Sequence, residues 1–230
     1  GMSGTMIQIS SNSNCTIENL IIQNASGASK GAGLHVIDSS VHASNCLIQN
    51  NHASYGGGFY FAIEDVDVEA SALTNCKFIN NSAHHWNDTI SHPNEQVRHS
   101  IADCMFINES SYHGGVLFGR SNVERCLFTG CSGSMYRAGI FAGDVMVTDS
   151  VFYANGSGDL LGVYFGVPAP QGVRFSRCVM ADVSGTVLNY PNGSDVRVEN
   201  SSFCGSTTIY WTAPVTDDGG NTMCQGNYCM

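Results

Sequence analysis

Asn75-Cys76-Lys77-Phe78-Ile79-Asn80 is one copy of a short pattern that runs the length of the chain. Asn19-Leu20-Ile21-Ile22-Gln23-Asn24 and Asn45-Cys46-Leu47-Ile48-Gln49-Asn50 precede it. Asp103-Cys104-Met105-Phe106-Ile107-Asn108, Arg125-Cys126-Leu127-Phe128 and Asp149-Ser150-Val151-Phe152 follow, and then Arg177-Cys178-Val179-Met180 and Asn200-Ser201-Ser202-Phe203. The second member falls at 20, 46, 76, 104, 126, 150, 178 and 201, a mean spacing of about 26 residues, which is a solenoid period.

Two apolar columns keep step with it. Three residues earlier stand Ile17, Ala43, Leu73, Ile101, Val123, Val147, Phe175 and Val198; two residues later stand Ile22, Ile48, Phe78, Phe106, Phe128, Phe152, Met180 and Phe203. Side chains alternate along a strand, so the odd separation of the columns requires a bend between them. A second strand follows each Asn, as in Gly33-Leu34-His35-Val36, Gly58-Phe59-Tyr60-Phe61, Gly115-Val116-Leu117-Phe118, Gly139-Ile140-Phe141-Ala142 and Gly162-Val163-Tyr164-Phe165. The third repeat lacks that signature and carries a polar segment from His84 to Ser100. Asn24, Asn50, Asn80 and Asn108 suit corners, because Asn accepts left-handed backbone angles. The expected fold is all-β: a single-stranded right-handed parallel β-helix solenoid of about eight coils, a rod roughly 38 Å long at about 4.8 Å per coil. An antiparallel sandwich would not need the same apolar types in register at every repeat. The expected boundaries are 1–12 for an N-terminal extension or tag remnant, 13–212 for the β-helix and 213–230 for a C-terminal cap.

Composition narrows the function. The chain has 230 residues, 12% charged, with a net charge of -10. That balance argues against binding a phosphate backbone, and nucleic acid is not expected as a partner. No apolar run approaches the ~20 residues of a spanning helix, so no membrane span is expected. Gly1-Met2-Ser3-Gly4-Thr5 has neither the basic nor the apolar part of a signal peptide, and the Gly before Met reads as a tag scar.

Phe78-Ile79-Asn80-Asn81 and Phe106-Ile107-Asn108, together with Gly57-Gly58-Phe59 and Gly114-Gly115-Val116, carry a family resemblance. The chain resembles right-handed parallel β-helix proteins of the pectin-lyase-like class, and its repeats are similar to those of polymorphic outer-membrane proteins. The resemblance spans about residues 13–212 and fades after Phe128, where Gly130 and Ala154 replace the corner Asn. It implies a fold; solenoids of this class host lyases, hydrolases, adhesins and phage tail parts, so it does not imply one chemistry.

Cys46, Cys76, Cys104, Cys126 and Cys178 share a column with Leu20, Ser150 and Ser201, and they read as reduced thiols filling core volume. Cys204, Cys224 and Cys229 lie at or beyond the last repeat, where a disulfide to pin the open end competes with a weak zinc signal. His84, Asp88 and His92 offer a metal ligand set, against the simpler reading of a solvated loop. Asp65, Asp67 and Glu69 alternate as an acidic edge, and Asp217-Asp218-Gly219-Gly220-Asn221 reads as a turn. No metal and no cofactor are expected.

In the second strand, alternation turns Leu34, Phe59, Val116, Ile140 and Val163 inward and His35, Tyr60, Leu117, Phe141, Tyr164, Val187 and Tyr210 outward. Stacked aromatic rings suit sugar faces, so Tyr60, Trp86, Phe141, Tyr164 and Tyr210 are the candidate carbohydrate-binding residues; a one-residue slip would turn the stripe inward. The outer side of the cysteine strand, with Ile21, Leu47, Met105, Leu127, Val151 and Val179, is also apolar and points to homo-oligomerisation or docking onto another domain. The expectation is a secreted or cell-surface, non-catalytic solenoid that binds carbohydrate or a cell-surface partner. The alternative is a polysaccharide-cleaving enzyme, lyase or glycoside hydrolase, although no recurrent carboxylate pair marks a catalytic site.

Overall fold

The computed structural model describes residues 2–63, 68–87, 90–91, 97–112, 116–118, 120–133, 141–142, 145–155, 161–162, 173–182, 188–189, 196–204, 215–225 and 228–229. Among them every regular element is a strand, and the chain is a parallel β-solenoid. One coil shows the circuit. Ser40–Ser44 lies in a nine-stranded sheet, Leu47–Gln49 in a ten-stranded sheet, His52–Tyr55 in a five-stranded sheet and Phe59–Ala62 in an eight-stranded sheet. Five successive coils carry all four sides among the described residues, which revises the expected eight coils to about five complete turns, with three sheets stacking further.

Both apolar columns point inward. Ile48, Phe78, Phe106, Phe128 and Phe152 are fully buried, and so are Val147 and Phe175 of the other column. Phe78, Phe106, Phe128 and Phe152 form one parallel ring stack with centroid separations of 4.9, 4.7 and 5.0 Å. The bend between the columns is a left-handed residue. Asn19, Asn45, Asn75, Asp103, Arg125, Asp149, Arg177 and Asn200 all have φ between 47° and 57°. Asn24, Asn50, Asn80 and Asn108 make the same turn at the next corner, with φ from 52° to 63°. The glycine corner that follows exists for close approach, since a Cβ on Gly33 would meet the Gly58 carbonyl oxygen at 2.5 Å.

The cysteine column is more than filler. Cys104 N–H donates to Cys126 Sγ at 3.4 Å, Cys76 N–H donates to Cys104 Sγ at 3.4 Å, and each thiol lies within donating distance of a carbonyl two residues earlier. Ser150 and Ser201 do the same work, taking Cys126 N–H at 3.0 Å and Cys178 N–H at 3.1 Å, and Asn221 Oδ1 accepts Ser201 N–H at 2.8 Å. The column selects small groups that both accept and donate, because the amide behind each corner is buried and must be paired. The ladder cysteines are free thiols. Burial pushes the Cys178 thiol up to about 11, and hydrogen bonds to Cys126 and Cys76 together with burial raise that of Cys104. Cys126→Ser is therefore expected to change stability by less than about 1 kcal/mol, while Cys126→Val, which orphans Cys104 N–H, should cost about 1–3 kcal/mol; urea unfolding monitored by circular dichroism measures both.

A second internal ladder follows the next corner. Asn51 Oδ1 accepts Ala25 N–H at 3.1 Å, Asn81 Oδ1 accepts Asn51 N–H at 3.0 Å and Glu109 Oε1 accepts Asn81 N–H at 3.1 Å. Cys131 and Asn155 continue it, Asn155 Oδ1 accepting Cys131 N–H at 2.9 Å. Burial drives the Cys131 thiol up to about 12.

The stack passes both expected boundaries. Ile7–Ile9 pairs with Leu34–Val36 in the eight-stranded sheet, Val215–Gly219 extends the nine-stranded sheet, and Thr222–Gln225 extends the ten-stranded one. The third repeat, which shows no second strand in its sequence pattern, has one: Ile90–Ser91 pairs with Phe59 and Tyr60, and Ile90 is buried. At the C-terminus Cys224 and Cys229 are register partners in an antiparallel pair.

Candidate ligand-binding site

Leu34–Ile37 and Phe59–Ala62 lie in register, Phe59 against Leu34 and Tyr60 against His35. Phe59 and Phe61 enter the core, so His35 and Tyr60 occupy the outer face, as the alternation predicts. The residues before the glycine corner bring Tyr55 and Lys30 alongside. The Tyr60 ring meets His35 edge-on at 5.5 Å and Tyr55 at 6.5 Å, and Lys30 Nζ sits 5.1 Å from its centroid. These neighbours leave Tyr60 only 5% exposed, so it acts as the floor of a small cluster rather than an open platform for a sugar. Tyr55 and His35 remain half-buried and Lys30 exposed. Among the described residues, His35 Nε2 is a buried nitrogen with no protein hydrogen-bond partner. Burial, and then the Lys30 charge, lower the pKa of His35, so the imidazole is neutral at pH 7 and able to exchange a hydrogen bond with a ligand hydroxyl.

Of the other expected aromatics, two are carried by described strands. Trp86 is carried by Ser82–Asn87 in the five-stranded sheet, a different side of the solenoid. Phe141 falls in register with Leu117, and Leu117 with Ile90. Val116, turned inward by the sequence parity, is fully buried in the core. Tyr164 and Tyr210 lie outside the described residues.

Two rings of the histidine-rich segment are described. His84 is exposed and stacks on Tyr112 at 5.4 Å, whereas His99 is buried, its ring 4.8 Å from that of Phe61. Asp88 and His92 lie outside the described residues, as do Asp65 and Asp67. Among the described residues no group of three His, Cys, Asp or Glu side chains is placed to hold a metal ion.

A polar cleft of about 260 Å³ opens beside the first coils, lined by Asn12, Ser13, Asn14, Asp38, Ser39, Ser40, Val68 and Glu69. Asn14 Nδ2 already donates to Glu69 Oε2 at 2.9 Å, and among the described residues no basic side chain lines the cleft. Sequence reasoning selected Tyr60 and His35 as outward residues but missed Tyr55 and Lys30, because a corner brings them in from the neighbouring sheet.

The outer face of the ten-stranded sheet is open and largely apolar, interrupted by Lys77 between Leu47 and Met105: Ile21 is 63% exposed, Tyr153 50%, Val179 39% and Val151 38%. Its border carries charges that the sequence pattern leaves as solvated surface. Arg125 grips Asp103 through two bonds of 2.7 and 2.9 Å, and Arg177 grips Asp149 through two of 2.7 and 2.6 Å. Hydrogen bonding to the guanidinium holds both carboxyls below the usual carboxylate range. Comparison with known proteins gives no match: no family model fits the chain, and neither a curated protein nor a solved structure is similar to it.

Proposed function

We propose that this chain is a non-catalytic β-solenoid, secreted or displayed at a cell surface, that binds carbohydrate or another cell-surface ligand through the His35–Tyr55–Tyr60–Lys30 cluster. The observation that carries the reading is the buried His35 Nε2, which has no protein partner among the described residues. Leaving such a nitrogen unpaired costs about 1–3 kcal/mol, and a ligand hydroxyl would recover that energy. Tyr55 and Lys30 flank the same point and supply one ring and one cation, a pairing suited to a sugar that carries an acidic group. The resemblance of the repeats to polymorphic outer-membrane protein units favours surface display. The internal thiols fit an oxidising setting because each rung is buried and so shielded from oxidants in solvent.

A glycan array read with the intact protein tests this reading. Binding should weaken at least tenfold in His35→Leu and in Tyr55→Ala while the circular dichroism spectrum is unchanged. An array with no bound glycan, or binding indifferent to both substitutions, rejects it.

The second reading, polysaccharide cleavage, rests on the cleft that holds Asp38 and Glu69. Without a basic side chain the cleft suits hydrolysis better than β-elimination, which needs a group to remove a proton. A reducing-sugar assay together with an ultraviolet assay for unsaturated uronates distinguishes the two chemistries, and turnover by the isolated chain would replace the binding proposal.

A further inference from the structure

The border of the ten-stranded sheet has an order that its own ion pairs do not require. Successive corner positions read Asn75, Asp103, Arg125, Asp149, Arg177 and Asn200, so sign alternates coil by coil between neutral ends. Such a series is self-complementary when reversed about its midpoint, between Arg125 and Asp149. Reversal sets Arg125 against Asp149 and Asp103 against Arg177 of a second copy. The same midpoint divides the open apolar strip, where reversal sets Leu127 against Val151 and Met105 against Val179.

We propose that the outer face of the ten-stranded sheet is a homodimer interface in which two solenoids lie antiparallel, related by a two-fold axis that runs between the Leu127 and Val151 strands. A two-fold interface is isologous, so the patch must complement itself, and this one does so in charge and in hydrophobicity about a single axis. The alternation also fixes the register. Sliding one copy by one coil about the same face brings Asp against Asp and Arg against Arg. The other face-to-face arrangement, with the rods parallel, sets this border against the Asn50–Asn80–Asn108 corner, which offers no charge partner.

The ladder residues are accessible for this purpose. Arg125 and Asp103 are 49% and 43% exposed, and Arg177 and Asp149 are 57% and 35% exposed. Met6 to Ile9, an apolar stretch ahead of the first coil, does not cover the strip from within the chain, because Ile7–Ile9 is committed to the eight-stranded sheet. Overlap would run from the Leu47 coil to the Thr222 coil, roughly 34 Å at about 4.8 Å per coil, and roughly 16 Å across three strand residues and two corners. That is roughly 540 Å² per copy before side-chain relief, short of the ~800 Å² of a standard stable interface, so the dimer is concentration-dependent rather than obligate. An apolar centre bordered by charges is the usual anatomy of such a contact.

Sedimentation equilibrium of the whole chain tests the proposal. The unmodified protein should pass from monomer to dimer at micromolar concentrations; a monomer up to about 1 mM overturns it. An acidic variant, Arg125→Asp with Arg177→Asp, and a basic variant, Asp103→Arg with Asp149→Arg, should each be monomeric, and their equimolar mixture should regain the dimer. Dimers in either variant alone, or a mixture that stays monomeric, overturns the proposal. Should either fold poorly by circular dichroism, the four-fold Asn variant at 103, 125, 149 and 177 copies the corner residue of the earlier coils and should raise the dissociation constant at least tenfold. Leu127→Lys with Val151→Lys should abolish association while leaving the ladder intact; unchanged association of either variant overturns the interface.

Discussion

Phe128→Ala should lower the stability of the solenoid by about 3–5 kcal/mol, a large share of the 5–15 kcal/mol typical of a folded domain. Phe128 is fully buried, and its ring lies 4.7 Å from Phe106 and 5.0 Å from Phe152 at interplanar angles of 3° and 9°. Truncation removes the side chain from both neighbours and leaves a void between two flat rings whose strands are held by the sheet, so collapse is restricted. A solenoid is stabilised by contacts between adjacent coils, and an interior coil has two such neighbours. Phe203, near the last coil and 5% exposed, should therefore cost less when truncated. Urea unfolding should also separate into two transitions in Phe128→Ala, because the gap weakens the coupling between the halves on either side. A loss below about 1 kcal/mol with a single sharp transition would show that the ring stack carries little of the coupling.

The columns that build the stack were readable because a solenoid repeats its environment. Each coil presents the same inward positions, and eight independent apolar residues at one offset leave little room for another fold. Register in the eight-stranded sheet was harder to read. A strand reached through consecutive glycines has no side chain to mark where alternation begins. Ile90 was hidden for the opposite reason, as one buried residue within a polar stretch gives no periodic signal.

Chemistry was less legible than geometry. Cys and Ser in one column are equally consistent with small volume and with hydrogen bonding; only the buried amides of Cys76 and Cys104, 3.4 Å from the next sulfur, separate the two. The alternating corner charges were in the sequence one residue before that column, in Asp103, Arg125, Asp149 and Arg177. Their spacing of more than 20 residues hides the pairing until the coils are stacked. The ligand cluster depends on Lys30 and Tyr55 arriving from another sheet, which no single-strand pattern can reveal.

Between pH 6.5 and about 4 the protein should lose about 3 kcal/mol of stability through one residue, His99. Its ring is buried against Phe61, and its Nδ1 accepts the Ser71 amide at 3.0 Å. An acceptor at Nδ1 makes the ring the neutral Nε2–H tautomer, and a proton at Nδ1 would point donor at donor. Burial lowers the pKa from 6.5 to about 4. In that interval the unfolded chain holds the proton and the native chain does not, so stability rises with pH at up to about 1.36 kcal/mol per pH unit. The contribution is complete above 6.5 and falls away as pH drops towards 4. The Asp103 and Asp149 carboxyls, held below 3.8 by their arginines, lose their contribution only at lower pH, which keeps this window clear of them. His35, also lowered by burial, adds a smaller slope of the same sign. His99→Gln should be less stable than the unmodified protein at pH 7.5, having lost the stack on Phe61, yet its unfolding free energy should be nearly flat from pH 6.5 to 4.5. Urea unfolding at half-unit pH steps measures both slopes, and equal slopes in the two proteins would mean that His99 is protonated in the folded chain.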